Sequence, residues 1–287
     1  MKCYAKESLL QYSWLLSELR SFFGARAKEI TTPSIIAGDA KGSMPICLNG
    51  EVAHLARSNV LHLVATAVEI GDCYSIQRVF RDENKETRFH LAEFDLLDSV
   101  FIKCDLNDAM SFIELLVSHI HNRAAAEFGE DAVAKLESQK FARIDWSLTR
   151  MFAQHTEEDL SHRILMNNPY FIENLPSGQV SWALRDMTPG VKRSFNLILP
   201  NCGEVAEGGE RDLDGERMAI KLRDIGRLRQ LGWYAKAVSQ LEGQVVSLGI
   251  GVERLAMWLF RKDDISKVNL FSRKLTFSEI NHGAEYN

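Results

Sequence analysis

Residues 79–98 read VFRDENKETRFHLAEFDLLD, two apolar runs separated by a stretch dense in charge. CYSIQRVF (73–80) leads into it and FHLAEFDLLDSVF (89–101) emerges from it, so the segment reads as two strands of a long hairpin. The connection is unusual for a hairpin. Tight turns favour pairs such as Asn-Gly, whereas Arg81, Asp82, Glu83, Lys85, Glu86, Arg88 and His90 crowd this one. A solvated, salt-bridged loop would account for the charge. A polyphosphate clamp would account for the arginines, because guanidinium groups match phosphate geometry in a bidentate way.

A second stretch, SLGIGVERLAMWLF (247–260), runs from a strand directly into a helix. Gly249 and Gly251 permit close backbone approach, and Arg254 follows in the first helical turn. Upstream, Leu15, Leu16, Leu19, Phe22 and Phe23 recur at helical spacing with Gly24 as a cap, which predicts an opening amphipathic helix. KEITTPSII (28–36) is short and β-branched, and Pro33 makes it an edge or interface strand. Residues 109–128 form a further helix, with Phe112, Leu116 and Ile120 on one face. His119 and His121 inside it are two apart and point to different sides, which argues against a shared metal. FNLILPN (195–201) reads as a strand, and a helical stretch is predicted from about Met218 to Trp233. Strands dominate the centre and helices the flanks, so the class is α+β with a largely antiparallel sheet.

The bulk composition is that of a globular chain: 287 residues, 46% hydrophobic and 25% charged, enough to bury a sizeable core. The net charge of −5 gives no general attraction for nucleic acid. Cys3, Cys47, Cys73, Cys104 and Cys202 are odd in number and widely spread, with no C-x-x-C pair, so free thiols in a reducing compartment are expected. No apolar run approaches the roughly 18 residues a membrane span needs, and the N-terminus is too polar for a signal peptide. A cytoplasmic protein without membrane partners is predicted.

Taken together and in order, these stretches carry a resemblance. VFRDENKETRFHLAEFDLLD resembles motif 2 of the class II aminoacyl-tRNA synthetases, SLGIGVERLAMWLF resembles their motif 3, and KEITTPSI (28–35) looks like motif 1. Motif 2 is closest to the asparaginyl form FR-x-EN…TR-x-HLAEF. NLILPNCGEV (196–205) resembles the DLLVPGVGE segment of those enzymes, and Trp233-Tyr234 keeps their spacing, Trp233 lying 21 residues ahead of Arg254. The resemblance covers essentially the whole chain. It implies the class II synthetase catalytic fold as a single domain over residues 1–287, close to the asparaginyl and aspartyl enzymes and to the asparagine synthetase related to them. It also implies a homodimer, since motif 1 packs across a two-fold axis in that fold.

The same resemblance implies roles. Arg81 would bind the α-phosphate of ATP and Phe94 would stack on adenine, with Glu83 at its amino group. Arg88 and His90 would reach the outer phosphates, and Arg254 the γ-phosphate from the other side. Mg²⁺ would be held by Glu204 and Asn196, the latter replacing an aspartate by an amide oxygen that brings no charge. In the acid pocket, Asp98 matches the partner of the substrate ammonium, Arg211 the reader of its side chain, and Ser58 a pocket serine. Other pocket elements are changed: a glutamine aligns with Val60, a His-x-Gly with Val245-Val246-Ser247, and an Arg-Tyr-Gly with Ser239-Gln240-Leu241. The segment also starts at the helix before motif 1, so an N-terminal OB-fold that reads the anticodon is expected to be absent and tRNA binding is doubtful. The resemblance and its departures are compatible with three functions. The first is a tRNA-independent ligase that activates a polar or acidic amino acid as an acyl-adenylate and passes it to ammonia or another small nucleophile. The second is a truncated synthetase paralog that acylates a tRNA or a protein. The third is a non-catalytic nucleotide or amino-acid sensor.

Overall fold

The two runs flanking the charged connector are neighbouring strands of an eight-stranded sheet. The computed structural model describes residues 3–37, 42–82, 87–149 and 168–269. In chain order the first half comprises α1 (Cys3–Gly24), β1 (Lys28–Glu29), β2 (Ile35–Ile36), β3 (Pro45–Leu48), β4 (Glu51–Leu55), α2 (Val60–Ile70), β5 (Cys73–Phe80), β6 (Glu93–Ile102) and α3 (Leu106–Phe128). The second comprises β7 (Ala142–Asp145), α4 (Trp146–Thr149), β8 (Tyr170–Glu173), β9 (Asp186–Thr188), β10 (Val191–Lys192), β11 (Ser194–Leu199), β12 (Gly203–Glu210), α5 (Gly215–Asp224), α6 (Leu228–Val238), β13 (Val245–Gly251) and α7 (Val252–Leu259).

The main sheet runs β1-β5-β6-β13-β12-β11-β8-β7. Its middle is antiparallel, and only the edge pairs β1/β5 and β7/β8 are parallel. Alternation along β6 explains the layering. Leu97 and Phe101 project to one face and join Phe23 of α1, Phe112 of α3 and Trp258 of α7 in the larger core. Val100 projects to the other face, where Cys73 and Val245 meet Leu63 of α2, Met218 and Leu222 of α5 and Tyr234 of α6. Helices on both faces let the central strands be apolar on both sides, so these read as continuous hydrophobic runs. The second helical layer covers only part of its face, and the remainder is open.

Several sequence expectations acquire detail. The opening helix packs Leu15, Leu19 and Phe23 with no exposure, while Leu16 and Phe22 are partly buried. KEITTPSII is divided by Pro33 into β1, at the edge of the main sheet, and β2, in a separate three-stranded sheet β2-β4-β3. β6 starts at Glu93 rather than Phe89, because 87–92 belong to the connector. The helix expected over Met218 to Trp233 is two helices. Gly226 between them has φ +71°, a left-handed conformation that ends α5, and the backbone turns into α6. α3 begins with a capping box in which Asp105 and Asp108 accept each other's backbone N–H groups. His119 faces Glu18, whereas His121 Nε2 contacts the carbonyl of Ala134 at 2.8 Å, so the two histidines do diverge.

Candidate active site

A row of directly opposed residues crosses the sheet: Ser75 in β5, Asp98 in β6, Gly249 in β13, Glu207 in β12 and Asn196 in β11. Opposed residues project to the same face, and the middle of this row, Asp98, Gly249 and Glu207, floors the open part of the second face. Gly249 contributes no side chain and leaves a gap between two carboxylates. A Cβ at that position would lie 2.9 Å from Asp98 Oδ1. Over the row stands a cavity of about 1060 Å³, at the upper end of the ~300–1,000 Å³ usual for ligand pockets.

Different local devices bring each wall residue into place. Arg81 follows the end of β5, where its N–H donates to the carbonyl of Ala92 at 2.9 Å and closes the base of the connector. Its guanidinium carbon lies 5.1 Å from the centroid of the Phe94 ring, a cation–π geometry. Arg254 comes from the first turn of α7. It donates Nε to the carbonyl of Phe89 at 3.0 Å and Nη1 to the carbonyl of Glu204 at 2.5 Å, tying the connector to β12. Its neighbour Glu253 is buried and accepts the Asp95 N–H at 3.0 Å, and Asp95 in turn accepts Tyr12 Oη at 2.7 Å. The strand–helix junction is thereby fixed to β6 and α1.

Glu204 is placed by a β-bulge. Leu197 opposes Ala206, but Ile198 opposes Glu204, so Val205 is an extra residue and the alternation of β12 shifts by one. Glu204 and Glu207 therefore share a face although they are three residues apart. Asn196 donates Nδ2 to Glu204 Oε2 at 2.5 Å, and its Oδ1 is buried without a hydrogen-bond partner.

At the other end of the cavity, Asp98 of β6 faces the residues that open α2. Its Oδ2 accepts Ser58 Oγ at 2.9 Å and the Asn59 N–H at 2.6 Å. Burial raises the Asp98 pKa above the usual carboxylate range, against the Asn59 and Ser58 hydrogen bonds and the charges of Arg81 and Arg211. Arg211 is buried and donates Nε to Ser247 Oγ at 2.7 Å. The acids on either side of it are engaged elsewhere: Glu210 with Arg185 and Arg193, Asp212 with Arg217 and Lys221. Inside the cavity, Glu207 and Asp98 are both within the field of Arg211. Burial raises the Glu207 pKa too, opposed by Arg81, Arg211 and the Ser181 N–H and reinforced by Asp98.

Of the residues singled out from the sequence, Ser58, Arg81, His90, Phe94, Asp98, Glu204, Arg211 and Arg254 all line this one cavity. Asn196 lies beside it, against Glu204. Arg88 is not in the wall: its guanidinium carbon stacks 4.5 Å from the Phe89 ring centroid, where a cation–π contact holds it. Glu83 lies outside the described residues. Sequence reading missed Glu207, because the bulge at Val205 reverses the alternation counted from Glu204 and so puts Glu207 on the same face. It also missed the His62–Trp233 ring pair, with centroids 5.2 Å apart, whose members come from α2 and α6. Burial lowers the His62 pKa.

Comparison with known proteins agrees with this architecture. The family model for tRNA synthetases class II (D, K and N) matches residues 5–275. The cytoplasmic asparagine–tRNA ligase of Debaryomyces hansenii is 21% identical over 293 residues, covering 91% of this chain and 53% of that protein. The asparagine–tRNA ligase of Pyrococcus abyssi is 25% identical over 297 residues, covering 93% and 67%. Among solved structures, the asparaginyl-tRNA synthetase of Entamoeba histolytica superposes with a TM-score of 0.88 at 22% identity, over 94% of this chain and 68% of that one. The Pyrococcus horikoshii asparaginyl-tRNA synthetase complexed with asparaginyl-adenylate superposes with a TM-score of 0.85 at 22% identity, over 95% and 69%. The chain thus spans about half to two thirds of the length of the curated relatives it matches.

Proposed function

Since the chain belongs to the class II tRNA synthetases of the D, K and N type, we propose that its cavity binds ATP beside a small amino acid and joins the two as an acyl-adenylate. The observation that carries this reading is the convergence of both halves of such a site on one sheet face. Phe94, Arg81 and Arg254 form a nucleotide half, and Asp98, Ser58 and Arg211 an amino-acid half.

In this reading Phe94 stacks on adenine, and Arg254 and His90 meet the outer phosphates. Asp98, held ready by Ser58 and Asn59, takes the substrate ammonium. A carboxylate oxygen of the acid attacks the α-phosphorus, and the bond to pyrophosphate breaks. Arg81 stabilises the charge that develops there. Arg88 must leave the Phe89 ring to reach a phosphate. Enzymes of this family use ATP with magnesium, and the residues present fit that ion: Glu204 supplies a carboxylate and the orphaned Oδ1 of Asn196 an amide oxygen beside it. Among the described residues no group of three His, Cys, Asp or Glu could hold a metal alone, so the substrate phosphates would complete the shell. When bound, the ion would neutralise phosphate charge.

The adenylate then gives its acyl group to ammonia or another small nucleophile. The nitrogen attacks the carbonyl carbon, the C–O bond to AMP breaks, and the nitrogen releases a proton to solvent. The net charge of −5 supports an acceptor other than nucleic acid. A second reading, transfer to a tRNA, is favoured by the asparagine–tRNA ligase activity in the names of the relatives. ATP–pyrophosphate exchange across amino acids without tRNA, followed by product analysis with ammonia or with total tRNA, tests both. Exchange with one acid and amide formation support the first reading. Exchange that requires tRNA, or acylated tRNA as product, selects the second. Silence under both conditions overturns adenylation.

A further inference from the structure

The ring pair of His62 and Trp233 has no part in the adenylation chemistry, yet both residues line the cavity. They mark how far it extends. Ser58 and Asn59, which hold Asp98, lead straight into α2, so Val60 and His62 lie immediately beyond the ammonium site. α6 packs against α2 and forms the facing wall. Its Tyr234 is fully buried beside Arg211. From there the lining continues through Trp233, Leu231 and Gln230 to Arg227, the residue ahead of the helix. Those two turns of α6 carry the wall about 10 Å, at about 1.5 Å per residue. Trp233 is 38% exposed and Ile225, in the α5–α6 turn, 44%, so the far end opens to solvent. An asparagine side chain spans three bonds, about 4 Å, and would end at Arg211.

The lining decides what can fill the remainder. Arg211 Nε is taken by Ser247, but Nη1 is a buried donor without a partner, so a side chain needs an acceptor atom there. Past that point the wall is apolar. Val60 and Leu231 offer no hydrogen bond, and the His62 and Trp233 rings lie 5.2 Å apart, tilted by 32°. Val60 aligns with a glutamine of the synthetases, and its shorter, apolar side chain widens and dries this stretch. Burial lowers the His62 pKa, so the imidazole is uncharged at neutral pH. Polar groups return only with Gln230 and Arg227 at the open end.

We propose that this end of the cavity is an extended acyl pocket for an α-amino acid longer than asparagine or aspartate, with a carbonyl acceptor at Arg211 and an apolar or aromatic segment lying along α6 against His62 and Trp233. This rests on the adenylation reading above and names the class of acid that is activated.

L-asparagine, L-kynurenine and β-benzyl L-aspartate carry a carbonyl on the same side-chain carbon, and the last two place a ring beyond it. L-phenylalanine has the ring and lacks the carbonyl. Kinetics of ATP–pyrophosphate exchange are measured for the four acids with the intact chain, Trp233→Ala and Val60→Gln. The better of the two carbonyl-bearing ring acids should exceed asparagine in kcat/KM by about 10–100-fold, the scale of burying one aromatic side chain. It should exceed phenylalanine by about tenfold, the scale of one hydrogen bond to a charged group. Trp233→Ala removes the ring surface and Val60→Gln fills the chamber, so each should shrink the ratio to asparagine at least about fivefold. A ratio between two acids does not depend on the fraction of folded protein. Asparagine equalling both ring acids, phenylalanine equalling the better of them, or a ratio unchanged in both variants overturns the proposal. Should no acid support exchange, adenylation fails, and calorimetric binding of the same four acids to the intact chain decides the pocket separately. Tighter binding of a carbonyl-bearing ring acid than of asparagine and phenylalanine sustains it; equal binding, or none, overturns it. If neither variant folds, the preferences of the intact chain alone decide.

Discussion

Arg81 has two neighbours that explain its use: Phe94 holds the guanidinium over its ring, and the Ala92 carbonyl fixes the backbone. Arg81→Ala removes the guanidinium and leaves that backbone bond intact. Exchange should fall by about 10²–10³ in kcat, the usual loss when one transition-state donor is deleted, while the melting temperature changes little. Near-normal exchange would remove Arg81 from the mechanism. Asp212 gives a stability counterpart. Burial alone would raise its pKa, but hydrogen bonds from Arg217 and Lys221 outweigh it and pull the group from 3.8 to about 2. A depressed folded pKa stabilises above the unfolded value and is lost as pH falls through the folded one. Arg217 is half exposed, so screening reduces the contribution to about 1–2 kcal/mol. Asp212→Asn should cost that much in urea unfolding at neutral pH, with the gap to the parent closing between pH about 4 and about 2. A gap that is constant over that range would show that packing, not charge, holds the site.

At the scale of elements, the site depends on backbone devices more than on loops. Gly249 is the clearest: Asp98 cannot retreat from an added Cβ, because its other oxygen is held by Ser58 and Asn59. Gly249→Ala should raise KM for the amino acid about tenfold or more and leave KM for ATP nearly unchanged, measured by varying each in the exchange assay. Equal effects on both would mean the sheet itself had distorted. The glycine, the two arginines and the charged connector were all legible in the sequence, because each departs from what a plain strand, turn or helix would contain. So was the α+β sheet, from its apolar runs. Glu207 was not legible, because the extra Val205 reverses the alternation counted from Glu204 and no residue type marks that bulge. The break at Gly226 was hidden for a similar reason. A single glycine in an otherwise helical pattern reads as a tolerated interruption until its positive φ is seen. Arg88 was assigned from the sequence to the phosphate site, yet its side chain rests on Phe89, where the next aromatic offers it a partner.

At the scale of the whole molecule, the three-stranded sheet β2-β4-β3 is anomalous. Ile35 and Leu48 lie on one of its faces and Val52 on the other, with exposures of 47%, 45% and 70%. Three short strands with apolar groups open on both sides need a further surface to be stable, and a second copy of the chain is the expected cover. The same sheet bears on the site. Pro33, Ile35 and Ile36 line the cavity, β4 leads directly to Ser58, and the Phe80 N–H donates to the Ala56 carbonyl at 2.9 Å just ahead of Arg81. Sedimentation should therefore give twice the 32.5 kDa chain mass. In a Cys3→Ser background, exposed Cys47 on β3 should react with maleimide faster on dilution, since Cys73, Cys104 and Cys202 are buried. Val52→Asp should shift the equilibrium to monomer and raise KM for the amino acid, because the strand that presents Ser58 loses its support. A chain that sediments as a monomer at every concentration and retains full exchange would show that the small sheet stands alone and that each site is complete within one copy.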